Sequence, residues 1–397
     1  MTRMVAHGPL RRSISPVRIQ KVPAMLPHAD RIPNVRTIAV LRANAIGDFL
    51  LALPALEALR AAYPTAEIVL LGKRWHRDFL TGRPGPVDRV VVVPPSRGVN
   101  DVAGAEGDPA ELERFFAAMR QERFDLALQL HGGGRNSNPF VLRLGARVTA
   151  GVKTPDAPAL DRWMPYIYFQ HETIRYLEAV ALVGAVPTAL EPQLAVTDAD
   201  LAESYDAYPG GSRPIAAIHP GASDPARRWP TAKFAAVGDA LAAAGAEVVV
   251  TGTPDEADVV AAVVAAMRAR ATNLCGRLSL CGLAGLLARS AVLVANDSGP
   301  RHLAQAVGTP TAAVYWCFNL VNASPLTRTR HRLFVSWRLD CPVCGADRSR
   351  DSCRHQESFV SGISIEDVAA AALELLALRR AEGFAEQYDD RAALAAR

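Results

Sequence analysis

Lysine is nearly missing from this sequence: among 44 basic residues in 397, only Lys21, Lys73, Lys153 and Lys233 are lysines, and the rest are arginine. With alanine so abundant, that imbalance reads as genome-wide base composition and not as a surface shaped for phosphates. The net charge of +4 is too small to argue for a nucleic-acid partner. No apolar run approaches the ~18 to 20 residues that a membrane helix needs; Val259 to Met267 is among the longest. The first thirty residues lack the apolar stretch of a secretory signal. There is no Gly-X-Y period and no sustained heptad, so a fibrous chain is excluded. The Rossmann signature Gly-x-Gly-x-x-Gly and the Walker A lysine loop are missing too, which lowers dehydrogenase and P-loop readings together.

What remains is an ordinary folded composition, 50% apolar and 21% charged. At roughly 150 residues per domain, the length allows two or three domains. Residues 1–36 hold Arg3, Arg11, Arg12, Arg18, Lys21, Arg31 and Arg36 against Asp30, a net of +6, so the rest sums to −2. Such a segment cannot supply a core, which predicts a basic disordered tail over 1–36; a transit peptide is the competing reading. Its charge suits peripheral contact with an anionic membrane. Without a secretory signal, the expected compartment is the cytoplasm, with peripheral attachment at the inner membrane as the alternative. There, clustered cysteines suggest metal or redox chemistry before structural disulfides.

From Thr37 onward, short β-branched runs alternate with segments of helical period. Strands are expected at Thr37–Arg42, Glu67–Leu71, Arg89–Val93 and Asp125–Leu130, with helices at Asp48–Tyr63 and Pro109–Gln121. The pattern weakens after Glu191 and restarts with strands at Ile215–His219, Glu247–Thr251, Ala291–Ala295 and Thr311–Tyr315. Helices at Thr231–Ala244, Glu256–Arg268 and Ser298–Val307 lie between them. This predicts an α/β protein of two doubly wound halves, 37–195 and 214–376, joined by a linker over 196–213. A charged helical tail follows over 377–397. Ligands of such sheets bind beyond the carboxyl ends of strands and in interdomain clefts.

Four segments fall at those ends. Asp48, in Gly47-Asp48, sits where the first strand gives way to a helix; it is either an N-cap or a general base facing the cleft. The loop His219–Pro230 carries Arg227 and Arg228, whose guanidinium forks match phosphate oxygens but are also common as solvated charges. In Asn296-Asp297-Ser298-Gly299-Pro300-Arg301-His302 a strand ends and a helix begins within three residues. Ser298 and Gly299 there offer free N–H groups at a positive helix end, and His302 lies one turn in. In Gly252-Thr253-Pro254-Asp255-Glu256 an acidic residue suits ribose hydroxyls, although carboxylates are expected at helix starts anyway.

Together these residues resemble glycosyltransferase family nine, the lipopolysaccharide heptosyltransferases. The matching segments are Ile46-Gly47-Asp48 with Leu53-Pro54-Ala55-Leu56, His219-Pro220-Gly221-Ala222 with Arg228-Trp229-Pro230, and Asn296-Asp297-Ser298-Gly299 with His302. They run in the family's order from about Thr37 to Leu376. The resemblance implies a GT-B fold, two Rossmann-like domains facing across a cleft, with acceptor in the first and nucleotide sugar in the second. It also implies inverting transfer without a metal or other cofactor, typically from ADP-heptose to a glycan or lipid-linked saccharide acceptor. By position, Asp48 corresponds to the catalytic base. Arg227 stands where such enzymes commonly place a phosphate-binding lysine. Glu256 corresponds to the ribose-contacting acid, with Asp255 one residue away, and Asp297, Ser298, Gly299 and His302 to the nucleotide-sugar loop. Leu130-His131-Gly132-Gly133-Gly134-Arg135 resembles the acceptor-side loop, which makes His131 and Arg135 acceptor candidates and His131 the alternative base.

Two other classes compete. A nucleotide-sugar 2-epimerase of the same fold would need further acid–base groups in the cleft. A non-catalytic sugar-nucleotide-binding paralogue is opposed by the presence of Asp48. Separately, Cys341-Pro342-Val343-Cys344 with Cys353 and His355 has the ingredients of a structural zinc site, with free thiols or a disulfide as the alternatives.

Overall fold

The structure, a computed structural model, describes residues 30–101, 107–351 and 353–381. Among these residues two six-stranded parallel sheets form. The first holds β1 (Thr37–Leu41), β2 (Glu67–Gly72), β3 (Arg89–Val92), β4 (Leu126–Gln129), β5 (Val148–Lys153) and β6 (Arg162–Pro165). The second holds β7 (Ile215–His219), β8 (Glu247–Val250), β9 (Ala271–Asn273), β10 (Ser290–Asn296), β11 (Thr311–Trp316) and β12 (His331–Ser336). The orders are β3-β2-β1-β4-β5-β6 and β9-β8-β7-β10-β11-β12. Counted from its own first strand, each sheet therefore runs 3-2-1-4-5-6, the doubly wound order of a Rossmann half. Helices cover both faces, so central strands such as β7 and β10 are buried along their whole length and read as unbroken apolar runs.

The order reverses between β1 and β4 in one sheet and between β7 and β10 in the other. Chain leaving β1 and chain leaving β4 turn to opposite faces, and a crevice opens between them. Asp48 follows β1, His131 follows β4, the His219–Arg228 loop follows β7 and Asp297–His302 follows β10. All four lie at the two crevices.

The halves share one continuous apolar cluster. It runs from Ile38 and Val40 through Leu53 and Leu56 to Leu286, Leu303 and Ala304. The helix Ile46–Ala62 of the first half packs on the helix Gly299–Ala306 of the second.

The expected boundaries need three adjustments. The segment 196–213 holds a helix, Asp198–Ala207. Thr197 Oγ1 accepts from the Asp200 N–H (3.2 Å), and the Asp200 carboxylate accepts from the Thr197 N–H (2.8 Å), a reciprocal cap. Asp200 is buried and also pairs with Arg83 of the first half (2.9 Å). The Thr-x-x-Asp spacing was the readable signal. The C-terminal tail expected from 377 begins inside a helix, Ile365–Ala381, whose Leu375 and Leu376 are buried; residues 382–397 lie outside the described residues.

The third adjustment concerns the N-terminal tail. Residues 1–29 lie outside the described residues, but Ile32 is buried and its N–H donates to the Tyr63 hydroxyl (3.0 Å). The segment near Ile32 is thus part of the core, because it closes the end of the first helix. Ile32→Ala should lower stability by ~2 kcal/mol in urea unfolding. Deleting residues 1–29 should shift it by less than ~0.5 kcal/mol. A larger loss on that deletion would show that the basic tail contributes to the fold.

Candidate active site

Asp48 is not an N-cap. The first helix starts at Ile46, so Asp48 is its third residue, and its Oδ2 accepts from the Ala45 N–H that precedes the helix (3.3 Å). Its Oδ1 lies 3.3 Å from Arg42 Nη2, and Arg42 Nε donates to the Asp48 carbonyl (3.1 Å). The Asp48 side chain keeps 41% of its surface exposed, whereas that of Arg42 keeps 2%. The carboxylate is therefore held in place from behind and open in front.

Arg42 is held in turn. Nη1 donates to the Leu130 carbonyl (2.8 Å), Glu172 lies 3.9 Å away, and the guanidinium stands over the Tyr176 ring at 4.7 Å. Neither Arg42 nor Glu172 stood out in the sequence. A charge ending an apolar strand was the available signal for Arg42; nothing local marks Glu172.

His131 is buried beside this group. The Ala43 N–H donates to its Nδ1 (3.2 Å), so the neutral ring carries its proton on Nε2. Burial, then the Arg42 charge, press its pKa down to about 4, against the pull of Asp48. At neutral pH His131 is a hydrogen-bond donor and is unsuited to be the base. A cavity of about 280 Å³ follows, lined by Gly98, His131, Gly133, Arg135, Thr154 and Asp156 among others. Arg135 is exposed and 3.6 Å from Asp156.

In the second half, Asn296 joins the two loops. Its Oδ1 accepts from the Trp229 N–H (2.9 Å) and its Nδ2 donates to the Pro220 carbonyl (2.8 Å). Arg227 is thereby brought over β10. Its Nη2 donates to Ser223 Oγ (3.0 Å), and its Nη1 lies 3.4 Å from Asp297 Oδ2. Asn319 Nδ2 donates to the same oxygen (2.7 Å), and the other oxygen is 3.7 Å from His302 Nε2. Burial alone would raise the Asp297 carboxyl; His302, Arg301 and Asn319 outweigh it and hold the pKa below its usual value. Both carboxylate oxygens are thus committed to side chains.

His302 is pressed down to about pH 4 by burial and then by Arg301. Its Nδ1 faces the Arg301 guanidinium, so the neutral ring keeps its proton on Nε2, toward Asp297. Arg301, fully buried and anchored to Gln305 (2.6 Å) and the Ala323 carbonyl (3.1 Å), was not singled out from the sequence, nor was Asn319.

Ser298 precedes the helix Gly299–Ala306, yet its hydroxyl makes no cap hydrogen bond, and its buried Oγ has no partner. An orphaned hydroxyl beside the free Gly299 N–H at a helix start suits an anion. Glu256 lies slightly aside. Its carboxylate accepts from the Thr253 N–H (2.9 Å) and is 3.6 Å from His219 Nε2. A Cβ at Gly221 would fall 1.9 Å from its Oε1, which explains the glycine in the His-Pro-Gly turn. Burial holds His219 below its ordinary pKa, against that carboxylate.

The two half-sites meet. A Cβ at Gly47 would stand 2.9 Å from His302 Cδ2, and one at Gly299 2.5 Å from Ile46 Cγ2. These two glycines let the helix starts of opposite halves approach closely, next to Asp48 on one side and Ser298 on the other.

Cys341, Cys344, Cys353 and His355 gather elsewhere, on the loop after β12, with one donor atom from each within 4.8 Å of the others.

Known proteins share this family and fold. The family model for glycosyltransferase family 9 (heptosyltransferase) matches residues 112–342. The chain is 27% identical over 295 residues to a lipopolysaccharide heptosyltransferase 2 of Salmonella typhimurium, covering 70% of this chain and 82% of the relative. Among solved structures, a glycosyl transferase family 9 protein of Veillonella parvula superposes with a TM-score of 0.72 at 21% identity, over 89% of this chain and 100% of the other. The ADP-heptose lps heptosyltransferase II of E. coli superposes with a TM-score of 0.69 at 20% identity, over 87% and 99%. The shared fold is GT-B.

Proposed function

The chain belongs to glycosyltransferase family 9, the heptosyltransferases, and is a glycosyltransferase; from that premise we propose its reaction. It moves a sugar, with ADP-heptose as donor, onto a lipopolysaccharide-core or other glycan acceptor. The anomeric centre inverts, and no metal takes part in the chemistry. The names of the relatives support the donor and acceptor class. The observation that carries the reading is the close approach of the Ile46–Asp48 turn to the Ser298–His302 helix start.

The donor diphosphate lies against Ser298, Gly299 and Arg227, with Glu256 toward the ribose. The acceptor lies against the His131–Arg135 loop. Asp48 takes the proton of the attacking hydroxyl as the new glycosidic bond forms on the face opposite the diphosphate. Negative charge grows on the leaving diphosphate, and Arg227 with the helix N–H groups stabilises it. Asp297 positions Arg227. Because both its oxygens serve side chains, it is poorly suited to chelate a cation between the phosphates. An epimerase would need a second acid–base group at the sugar, and the two nearby histidines, His131 and His302, keep their protons on nitrogens that donate.

Among the described residues no helix is long and apolar enough to cross a membrane. The N-terminal positive charge supports peripheral attachment at the cytoplasmic face of the inner membrane, where a lipid-linked acceptor resides.

A thermal-shift panel of ADP-, GDP-, UDP- and dTDP-sugars tests the donor; ADP-heptose should give the largest shift. Transfer should proceed at an unchanged rate when Mg²⁺ and Mn²⁺ are left out of the assay. An absolute need for Mg²⁺ overturns the metal-free mechanism. Donor hydrolysis or epimerisation with no acceptor product overturns transfer.

A further inference from the structure

The loop 337–364 joins β12 to the C-terminal helix, and its described part holds one two-residue bridge, Asp340 with Asp347, but no helix or ladder. Yet it is closely folded. Three sulfurs and one imidazole nitrogen, from Cys341, Cys344, Cys353 and His355, lie within 4.8 Å of one another. Cys341 Sγ and His355 Nδ1 are 3.6 Å apart. A tetrahedron with Zn–S near ~2.3 Å and Zn–N near ~2.0 Å has edges of roughly 3.5 to 3.8 Å. All three cysteines are unbridged. A disulfide would pair two sulfurs at ~2.05 Å and leave the third sulfur and the imidazole unused.

The first two cysteines sit on a tight turn. The Cys341 N–H donates to the Ala346 carbonyl and the Gly345 N–H to the Cys341 carbonyl, both at 2.9 Å. Gly345 has φ +71°, the left-handed conformation that lets the chain reverse directly after Cys344. The N–H groups of Val343 and Cys344 face the Cys341 sulfur, and that of Ala346 faces the Cys344 sulfur. Donors aimed at sulfur suit an anionic, metal-binding thiolate.

The loop also reaches the donor site. The Phe359 N–H donates to the Ala226 carbonyl (2.8 Å), inside the short turn Pro225–Arg227. The Ile363 carbonyl accepts from Trp229 Nε1 (3.2 Å) and Lys233 Nζ (2.7 Å). The Phe359 ring packs on Trp316 at 4.6 Å, and Cys341 is buried in the same cluster as Ala226 and Trp229.

We propose that Cys341, Cys344, Cys353 and His355 bind one Zn²⁺, and that the ion braces the turn presenting Arg227 to the donor diphosphate. The ion is structural, with four protein ligands and no open position for substrate. A loop with so little regular structure is the kind that a metal staples. The bracing role rests on the transferase reading above; the metal site does not.

Protein purified without chelator should contain one equivalent of zinc by elemental analysis. Less than about half an equivalent, or another metal in its place, overturns the site. Cys344→Ser and His355→Asn change the less buried ligands; each should lose most of the zinc and bind ADP ~10-fold more weakly by calorimetry, the scale of one weakened hydrogen bond to a charged group. In transfer assays KM for the donor should rise and kcat should fall with it, the pattern expected when Arg227 itself is misplaced. Unaltered ADP affinity in a zinc-free, folded variant overturns the bracing role. Zinc at one equivalent in a protein that binds no nucleoside diphosphate keeps the ion and overturns the bracing together with the transferase reading. The zinc content of the wild-type protein decides the site whether or not the variants fold.

Discussion

Asp48→Asn protein should fold, bind donor and turn over ~10²-fold or more slowly than wild type, the usual contribution of a positioned base. Asparagine keeps an oxygen for the Ala45 N–H and the shape of the side chain. It loses the charge facing Arg42, and because that guanidinium is 2% exposed although the carboxylate is 41% exposed, the loss costs more than a surface pair, ~3 kcal/mol at most. Stability should therefore fall by no more than that. The geometry sharpens the test against a purely structural role. If Asp48 only held Arg42 and the helix start, activity would track stability, and Asp48→Asn would be nearly as active as wild type. Single-turnover rates with saturating donor and acceptor make the measurement, because they report the chemical step. Near-normal rates would remove Asp48 from the mechanism. His131 would not inherit the role, since its Nδ1 is occupied by the Ala43 N–H and its Nε2 bears the proton.

Arg227→Ala should lower kcat/KM by ~10²-fold or more, about the cost of removing one preorganised donor from a developing anion. The loss should appear in both kcat and donor affinity, because the diphosphate is charged before transfer and more so during it. Arg227→Lys should recover most of it. A lysine carries the charge on a flexible stem and can meet the diphosphate, although it cannot bridge Ser223 and Asp297 as the fork does. His302→Ala should matter less, because a neutral imidazole adds no charge. Unchanged turnover in Arg227→Ala would remove Arg227 from the phosphate site. Arg228 is then the next candidate, although its Nε is already engaged by the Ala222 carbonyl (2.8 Å).

Much of this was legible in the chain. Parallel strands buried on both faces read as apolar runs, so β7 was predicted residue for residue and β1, β2, β8, β10 and β11 to within a residue at each end. The motifs at the ends of β1, β7 and β10 stood out because glycine, proline and charge interrupt those runs. Short edge strands such as β9 and β6 carried too little pattern, and the helix inside 196–213 hid behind acidic residues that look like linker but serve as cap and ion-pair partner. Asn319 carried no local signal; it lies 22 residues from the carboxylate it serves.

By itself the sequence determined the α/β class, the two halves, the strand ends where chemistry gathers, and the residue types there. Periodicity and chain breaks are local properties, and they are written in order along the chain. Only the tertiary structure decided which of those ends face each other. Both sheets wind 3-2-1-4-5-6, which lays Asp48 and His131 on one crevice and Arg227 and Ser298 on the other. Gly47 and Gly299 then bring the crevices together. It also decided protonation: His131 and Asp297 differ from free side chains because Ala43, Arg42, Arg301 and Asn319 arrive from elsewhere in the fold. Burial and charge at a site are sums over neighbours in space, and linear order does not contain them.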